Sequence, residues 1–160
     1  MPDLFVERRD EHLKKSQAFL HEANNLFRDD LLYRSALADA VSAIKHSLQA
    51  YLWMRVGAAA AAEQHLRWQE IALDGSMPQL VRACTEAGLH MSDVERTIRE
   101  LNDARNRRTH DFPRSPIPPE QAAAAVQTAI TVRDRVVAAI AGAPATVATR
   151  AASRAAEPSR

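Results

Sequence analysis

The segment around residues 33–56 constrains the fold most, because its large side chains repeat at alternating steps of four and three residues. The positions on this spacing are Leu37, Val41, Ile44, Leu48, Tyr51 and Arg55. Such steps place residues on one face of an α-helix. A line of small residues runs beside them: Ala36, Ala40, Ala43, Ser47 and Ala50. Small side chains let a neighbouring helix approach closely, so we predict a central helix over about 31–56.

The flanking segments carry helical signals too. A seven-residue apolar repeat (Val6, Leu13, Leu20, Phe27) predicts a helix over about 3–28, with Asp3 as its N-cap. Residues 63–88 are expected to hold one or two short helices, with a start signal at Ser76-Met77-Pro78-Gln79 and a stop at Gly88. Ser92-Asp93-Val94-Glu95 fits a capping box that opens a helix through about Arg107.

Four prolines (Pro113, Pro116, Pro118, Pro119) interrupt helix between residues 111 and 119. A last helix should follow from about Pro119 to Ile140, with an apolar face of Val126, Ile130, Val137 and Ile140. Large apolar residues almost vanish after Gly142, which predicts a disordered tail over 143–160 behind one domain, 1–142.

The composition agrees with an all-α fold, because alanine is abundant and aromatic residues are few among the 160 residues. The fold class that we predict is an antiparallel bundle of four to five main helices with a disordered C-terminal tail. The single cysteine, Cys84, excludes an internal disulfide framework and is interpreted as a small helical hydrophobe. The charged N-terminus does not resemble a signal peptide, and no apolar run spans a bilayer, so we expect a soluble cytoplasmic protein.

Charge narrows the possible nucleic-acid contacts. The 21 basic and 20 acidic residues nearly cancel, so any such contact must come from a local patch. The strongest local signal lies in the helix after Ser92, where Val94, Ile98 and Leu101 form an apolar stripe and Arg105 occupies its next position, followed by Arg108. A guanidinium at a core-type position is costly unless it is paired or lines a cleft, and such a departure marks a candidate site.

His110 follows five residues after Arg105. Five helical steps leave the two positions about 140° apart, so a regular helix does not bring them together. Either the helix ends or distorts at residues 108–110, or a second chain completes the site. Asn106 and His110 are four residues apart and share a face.

The residue types fit RNA cleavage without a metal. Histidine is the natural acid or base near neutral pH, and arginine presents a planar fork that matches phosphate oxygens. Asparagine can orient a ribose hydroxyl or a phosphate oxygen, so the set suits attack of an RNA 2′-OH on its neighbouring phosphate. Arg107, Arg108 and Arg114 add local positive charge for binding the RNA backbone.

The segment Arg105-Asn106-x-x-x-His110 resembles the R-x4–6-H motif of HEPN domains, and residues 33–41 resemble the alanine-rich central helix of that family. The resemblance covers about residues 5–141 and extends to the order of the helices. It implies a helical bundle that forms a homodimer, and in many members a metal-independent ribonuclease of toxin–antitoxin or anti-phage systems. It assigns catalysis to Arg105, Asn106 and His110, requires no cofactor, and suggests a restraining antitoxin of the nucleotidyltransferase type.

Two other functions remain open from the sequence. Some HEPN domains are inactive and serve as interaction or nucleotide-binding modules. A purely structural bundle is the third possibility, in which Arg105 and His110 only favour the negative end of the helix dipole. The other histidines are interpreted as surface or boundary residues, Trp53 and Trp68 as packing residues, and Asp29-Asp30 as a turn.

Overall fold

A computed structural model of the chain describes residues 3–28, 32–110 and 116–143, with the side chains of residues 108–110 left out. The described part is all-α, as predicted. Its helices are α1 (Leu4–Arg28), α2 (Tyr33–Ala58), α3 (Ala62–Asp74), α4 (Met77–Glu86), α5 (Glu95–His110) and α6 (Pro119–Gly142). The 63–88 region therefore holds two short helices. The predicted tail falls outside the described residues except for Ala143.

Helix α2 is the centre of the bundle, because each of the other five helices packs against it. Its line of small residues is fully buried, with Ala36, Ala40, Ala43, Ser47 and Ala50 all at 0 % exposure. Helix α1 contacts α2 over most of its length, and α6 packs on another side. Small side chains along α2 thus allow two long helices to approach it closely, as the sequence predicts.

Several helix ends follow the predicted signals. The Asp3 carboxylate accepts a hydrogen bond from the Phe5 amide at 3.0 Å, which caps α1. The Gln79 side chain accepts from the Ser76 amide at 2.8 Å at the start of α4. Helix α4 stops at Gly88, whose φ of 101° suits glycine, and the Leu89 amide donates back to the Cys84 carbonyl in a Schellman arrangement.

The predicted capping box at Ser92 is wrong. Helix α5 begins at Glu95, three residues later, after a turn in which the Glu95 amide donates to the Met91 carbonyl at 2.8 Å. The Ser92 hydroxyl lies 3.4 Å from His90 Nε2, and the Glu95 carboxylate accepts from Arg99. Because the turn already supplies an acceptor for the Glu95 amide, the serine is not needed as a cap.

The predicted apolar face of α6 is only partly correct. Val126 is buried and Ile130 and Ile140 pack at the edge of the core, but Val137 remains 38 % exposed. The buried face is instead centred on small and β-branched residues: Ala122, Ala125, Thr128, Ala129, Val132 and Val136. The small residues of α2 and α6 permit close packing, so alanines take interior positions that periodicity assigned to larger side chains.

Candidate functional site

Arg105 lies at the point where the buried stripe of α5 reaches the edge of the core. Leu101 and Ile98, one and two turns earlier, are 3 % and 1 % exposed, and Ala104 is also buried. Arg105 itself is partly buried, so its guanidinium is neither in the interior nor fully in water. This position satisfies the condition under which a charge on a core stripe is tolerated.

Two acidic side chains from other helices belong to the surroundings of Arg105. Burial raises the pKa of Asp39 on α2, the Glu22 carboxylate on α1 raises it further, and the Arg105 guanidinium lowers it. These mutual effects mean that α1, α2 and α5 bring three charged groups close together. Asp39 is therefore an acidic candidate for orienting Arg105.

The exposed neighbours of Arg105 are available to a ligand. Asn106 and Arg107 both lie in solvent. Arg107 Nε donates to the Asp103 carbonyl oxygen at 3.4 Å, a long intrahelical bond that a phosphate would readily replace. An exposed amide and an exposed guanidinium thus stand beside a partly buried guanidinium at this end of α5.

Three of the predicted residues lie in part or wholly outside the described residues. Helix α5 continues through His110 and so includes the backbone of Arg108 and His110, whose side chains are not described. Arg114 falls in the stretch 111–115, which the structure does not describe. The helical backbone places positions 105 and 110 about 140° apart around the axis and about 7.5 Å apart along it. Positions 106 and 110 are only about 40° apart on the same helix.

The turn that precedes α5 is joined to α6 by an ion pair between Asp93 and Arg135. Arg135 Nη1 donates to Asp93 Oδ1 at 2.7 Å, and Arg135 Nη2 donates to the other carboxylate oxygen, Oδ2. Nη1 also donates to the His90 carbonyl at 3.0 Å. The bond from Arg135 lowers the pKa of Asp93 to about 2. This two-pronged contact sets where α5 begins relative to α6, and hence where its far end lies.

The remaining chemistry-bearing residues fit structural roles. Trp53 and Trp68 are 2 % and 3 % exposed, which confirms them as packing residues. Cys84 is fully buried, its Sγ faces the Leu48 carbonyl at 3.5 Å, and burial raises the pKa of its thiol well above the ordinary value. A buried, protonated thiol is unreactive, as expected of a small hydrophobe. Asp29-Asp30 lies outside the described residues.

Sequence reasoning missed two features. Asp39 is the one acidic residue of α2 and lies between buried Ala36 and Ala40, and that contrast was the available signal. The contact between His12 and His46 had no signal, because the two residues are 34 positions apart and only the packing of α1 on α2 joins them. Among the described residues no group of three or more His, Cys, Asp or Glu side chains is placed to hold a metal ion.

Comparisons with protein families, with curated proteins and with solved structures found no match to this chain. The described helices include none with the length and hydropathy needed to cross a bilayer.

Proposed function

We propose that the chain is a metal-independent endoribonuclease of the HEPN type that acts as a homodimer. The observation that carries the proposal is the position of Arg105, partly buried at the end of a core stripe and within electrostatic reach of Asp39. A partly buried arginine near a carboxylate has fewer accessible rotamers than a solvent-exposed arginine. A guanidinium restricted in this way beside exposed Asn106 and Arg107 suits recognition of a phosphate group.

The proposed reaction needs only protons and the RNA itself. His110 accepts the proton of a ribose 2′-OH, the 2′-oxygen bonds to the adjacent phosphorus, and the bond from phosphorus to the 5′-oxygen breaks. The leaving oxygen takes a proton from an imidazolium, so the products are a 2′,3′-cyclic phosphate and a free 5′-OH. Arg105 neutralises the charge that builds on the phosphate oxygens, and Asn106 orients them. Arg107, Arg108 and Arg114 attract the flanking backbone.

Two copies of the chain are needed for this site. Of the two routes by which Arg105 and His110 could meet, a helix that ends or distorts at residues 108–110 has no support, because α5 is helical through His110. The remaining route joins Arg105 of one subunit to His110 of the other. A twofold axis then produces two equivalent composite sites in one groove.

The basic test compares RNA cleavage by the purified protein and by His110→Ala in the presence of EDTA. We expect cleavage by the parent protein to persist in EDTA and to fall by about a hundredfold or more in the variant, which is the usual contribution of an acid–base residue. Arg96→Ala is a matched control, because Arg96 lies on the same helix and its one ion pair within the described residues is with its neighbour Glu100 at 2.8 Å. Equal cleavage by the parent and His110→Ala refutes the assignment of His110.

A mixing experiment tests the composite site directly. Arg105→Ala and His110→Ala are each inactive under the proposal, but co-expression forms mixed dimers in which one of the two sites is intact. Random assortment then restores about one quarter of the parent activity, since half of the dimers are mixed and each has one working site. Sites built within one chain would give no restoration, so that result would remove the dimer model and leave single-chain catalysis to be tested.

A restraining partner follows from the same proposal, since an uncontrolled cytoplasmic ribonuclease is toxic. The resemblance to HEPN toxins favours an antitoxin of the nucleotidyltransferase type. The alternative function is a non-catalytic module that binds a protein or nucleotide. It predicts harmless expression, no RNA cleavage, and a stable complex with such a partner that Arg105→Ala weakens.

A further inference from the structure

The two histidines that face each other across the α1–α2 interface form an unusual contact. His12 Nδ1 lies 2.9 Å from His46 Nδ1, a hydrogen-bond distance. The two ring planes are 27° from parallel and their centroids are 5.2 Å apart, so the imidazoles meet edge to edge. The Phe19 ring stacks on His46 with an interplanar angle of 8°. One turn further along, Ser16 and Ser47 make a buried contact of 2.6 Å. The pair is therefore held in place by the Phe19 ring on His46 and by the buried serine contact beside it.

The proton count of this contact sets its response to pH. When both rings are neutral, one Nδ1–H donates and the other Nδ1 accepts. After one ring gains a proton, the cation still donates to the remaining neutral nitrogen, and the bond persists with added charge assistance. When the second ring is protonated, two N–H donors face each other at the same distance and the hydrogen bond is lost. The hydrogen bond between the two rings is thus compatible with one added proton, whereas a second added proton breaks it.

The charged groups around the pair further disfavour its doubly protonated state. Arg8, Glu11 and Lys15 on α1 and Lys45 on α2 act most strongly on the two rings. The only carboxylate among them, Glu11, is already paired with Lys15 at 2.7 Å. With three cations and one engaged anion nearby, a doubly charged histidine pair has little compensation.

We propose that the His12–His46 pair is an acid-sensitive lock that holds α1 on the rest of the bundle. Within the described residues α1 packs mainly on α2 and, to a lesser extent, on α6, and its Phe5 ring meets His65 of α3 at a centroid distance of 5.4 Å. Most of its attachment therefore depends on the interface that contains the pair. Two positive rings in that interface repel each other and attract water, and α1 separates from α2 before the remaining helices unfold. Separation also removes Glu22 from Asp39, so the lock acts on the surroundings of Arg105.

The directions of the pKa shifts agree with this proposal. Burial lowers the pKa of His12 to about 4, helped by the charge of His46, and burial also lowers the pKa of His46. The folded state therefore binds fewer protons than the unfolded chain below the ordinary value of 6.5. By linkage, the docking of α1 is at full strength above that pH and weakens as the pH falls towards 4.

Hydrogen exchange measured by mass spectrometry tests the lock on the full chain. Protection factors for α1 and α6 are compared in the same samples from about pH 7 down to about pH 4. We expect α1 to lose protection first, by about tenfold for each pH unit once a proton is taken up per unlocking event. Equal and simultaneous loss in α1 and α6 would mean that acid unfolds the whole bundle, and the proposal would fail.

Two variants make the test specific. His46→Asn keeps a side chain that can either donate to or accept from His12, and it removes the second charge, so the early loss of α1 protection should shift to lower pH. His21→Asn is the control, because His21 is an exposed residue of α1 bonded to Asn25, and it should leave the profile unchanged. An unshifted profile in His46→Asn overturns the proposal.

A measurement on the unaltered protein guards against a variant that does not fold. NMR titration of the imidazole nitrogens should give two separate steps for His12 and His46, both below 6.5, with a directly detectable Nδ1 donor and Nδ1 acceptor at neutral pH. Uptake of both protons in one step near about pH 6.5 would contradict the contact itself.

Discussion

The buried serine pair between α1 and α2 predicts that removing each hydroxyl lowers the free energy of unfolding by a different amount. Ser16 and Ser47 are both 0 % exposed, and their hydroxyl oxygens are 2.6 Å apart. Ser47 Oγ also lies 2.9 Å from the Ala43 carbonyl and donates its only proton there. Ser16 must therefore donate to Ser47 across the helix interface. The two serines are not equivalent, because Ser16 is the donor of the interhelical hydrogen bond and Ser47 is its acceptor.

This asymmetry fixes the expected costs of removing each hydroxyl. In Ser16→Ala, Ser47 keeps its bond to Ala43, so only one hydrogen bond is lost, at about 0.5–1.5 kcal/mol. In Ser47→Ala the Ser16 proton loses its acceptor in a dry interface, at about 1–3 kcal/mol. The double variant leaves no unsatisfied donor. We expect it to cost no more than Ser47→Ala alone, so the two changes are coupled by about 1 kcal/mol.

Urea unfolding followed by circular dichroism at the helix minimum measures these free energies, with equal m-values confirming that the denatured state is unchanged. Ser42→Ala is a matched control, because Ser42 also lies on α2 and its Oγ donates within the helix to the Ala38 carbonyl at 3.0 Å. It should change stability by less than about 0.5 kcal/mol. Costs of Ser16→Ala and Ser47→Ala that add in the double variant within about 0.3–0.5 kcal/mol would refute the shared hydrogen bond. A cost of Ser16→Ala as large as that of Ser47→Ala would refute the assigned donor direction.

Three further predictions rest on single contacts. Gly88→Ala should lower the free energy of unfolding by about 1–2 kcal/mol because of the positive φ, whereas Gly142→Ala, with open space around it, should be neutral or stabilising in the same melts. Asp93→Asn should flatten the acid side of the melting-temperature profile: the lowered pKa means that the ion pair with Arg135 stabilises the fold above about 3.8 and is lost as the pH falls towards 2, so an unaltered acid profile would contradict it. If the proposed nuclease is correct, Asp39→Asn should reduce the rate of RNA cleavage, which depends on Arg105, more than it reduces the affinity of the protein for RNA, to which exposed Arg107 contributes. Equal loss of cleavage and affinity would indicate a general folding defect instead.

The sequence alone determined the fold class and most helix ends. Periodicity and small residues identified α2 as the central helix, and local signals placed the start of α4 and its stop at Gly88. These features depend on neighbours within a few residues, so they are legible along the chain. The capping box at Ser92 failed because a preceding turn supplied the same hydrogen bond, which no spacing rule reveals.

Arg105 shows which features follow from the sequence and which depend on tertiary packing. Its place on a core stripe was evident from spacing, and so was the angle that separates it from position 110. Its neighbours Asp39 and Glu22 come from helices far away in the sequence, and only packing brings them together. The same holds for His12 and His46, which are joined by the register of α1 on α2. The apolar faces and the ends of the helices are determined by residues close together in the sequence. Which charged and titratable side chains meet between helices is determined by how those faces pack.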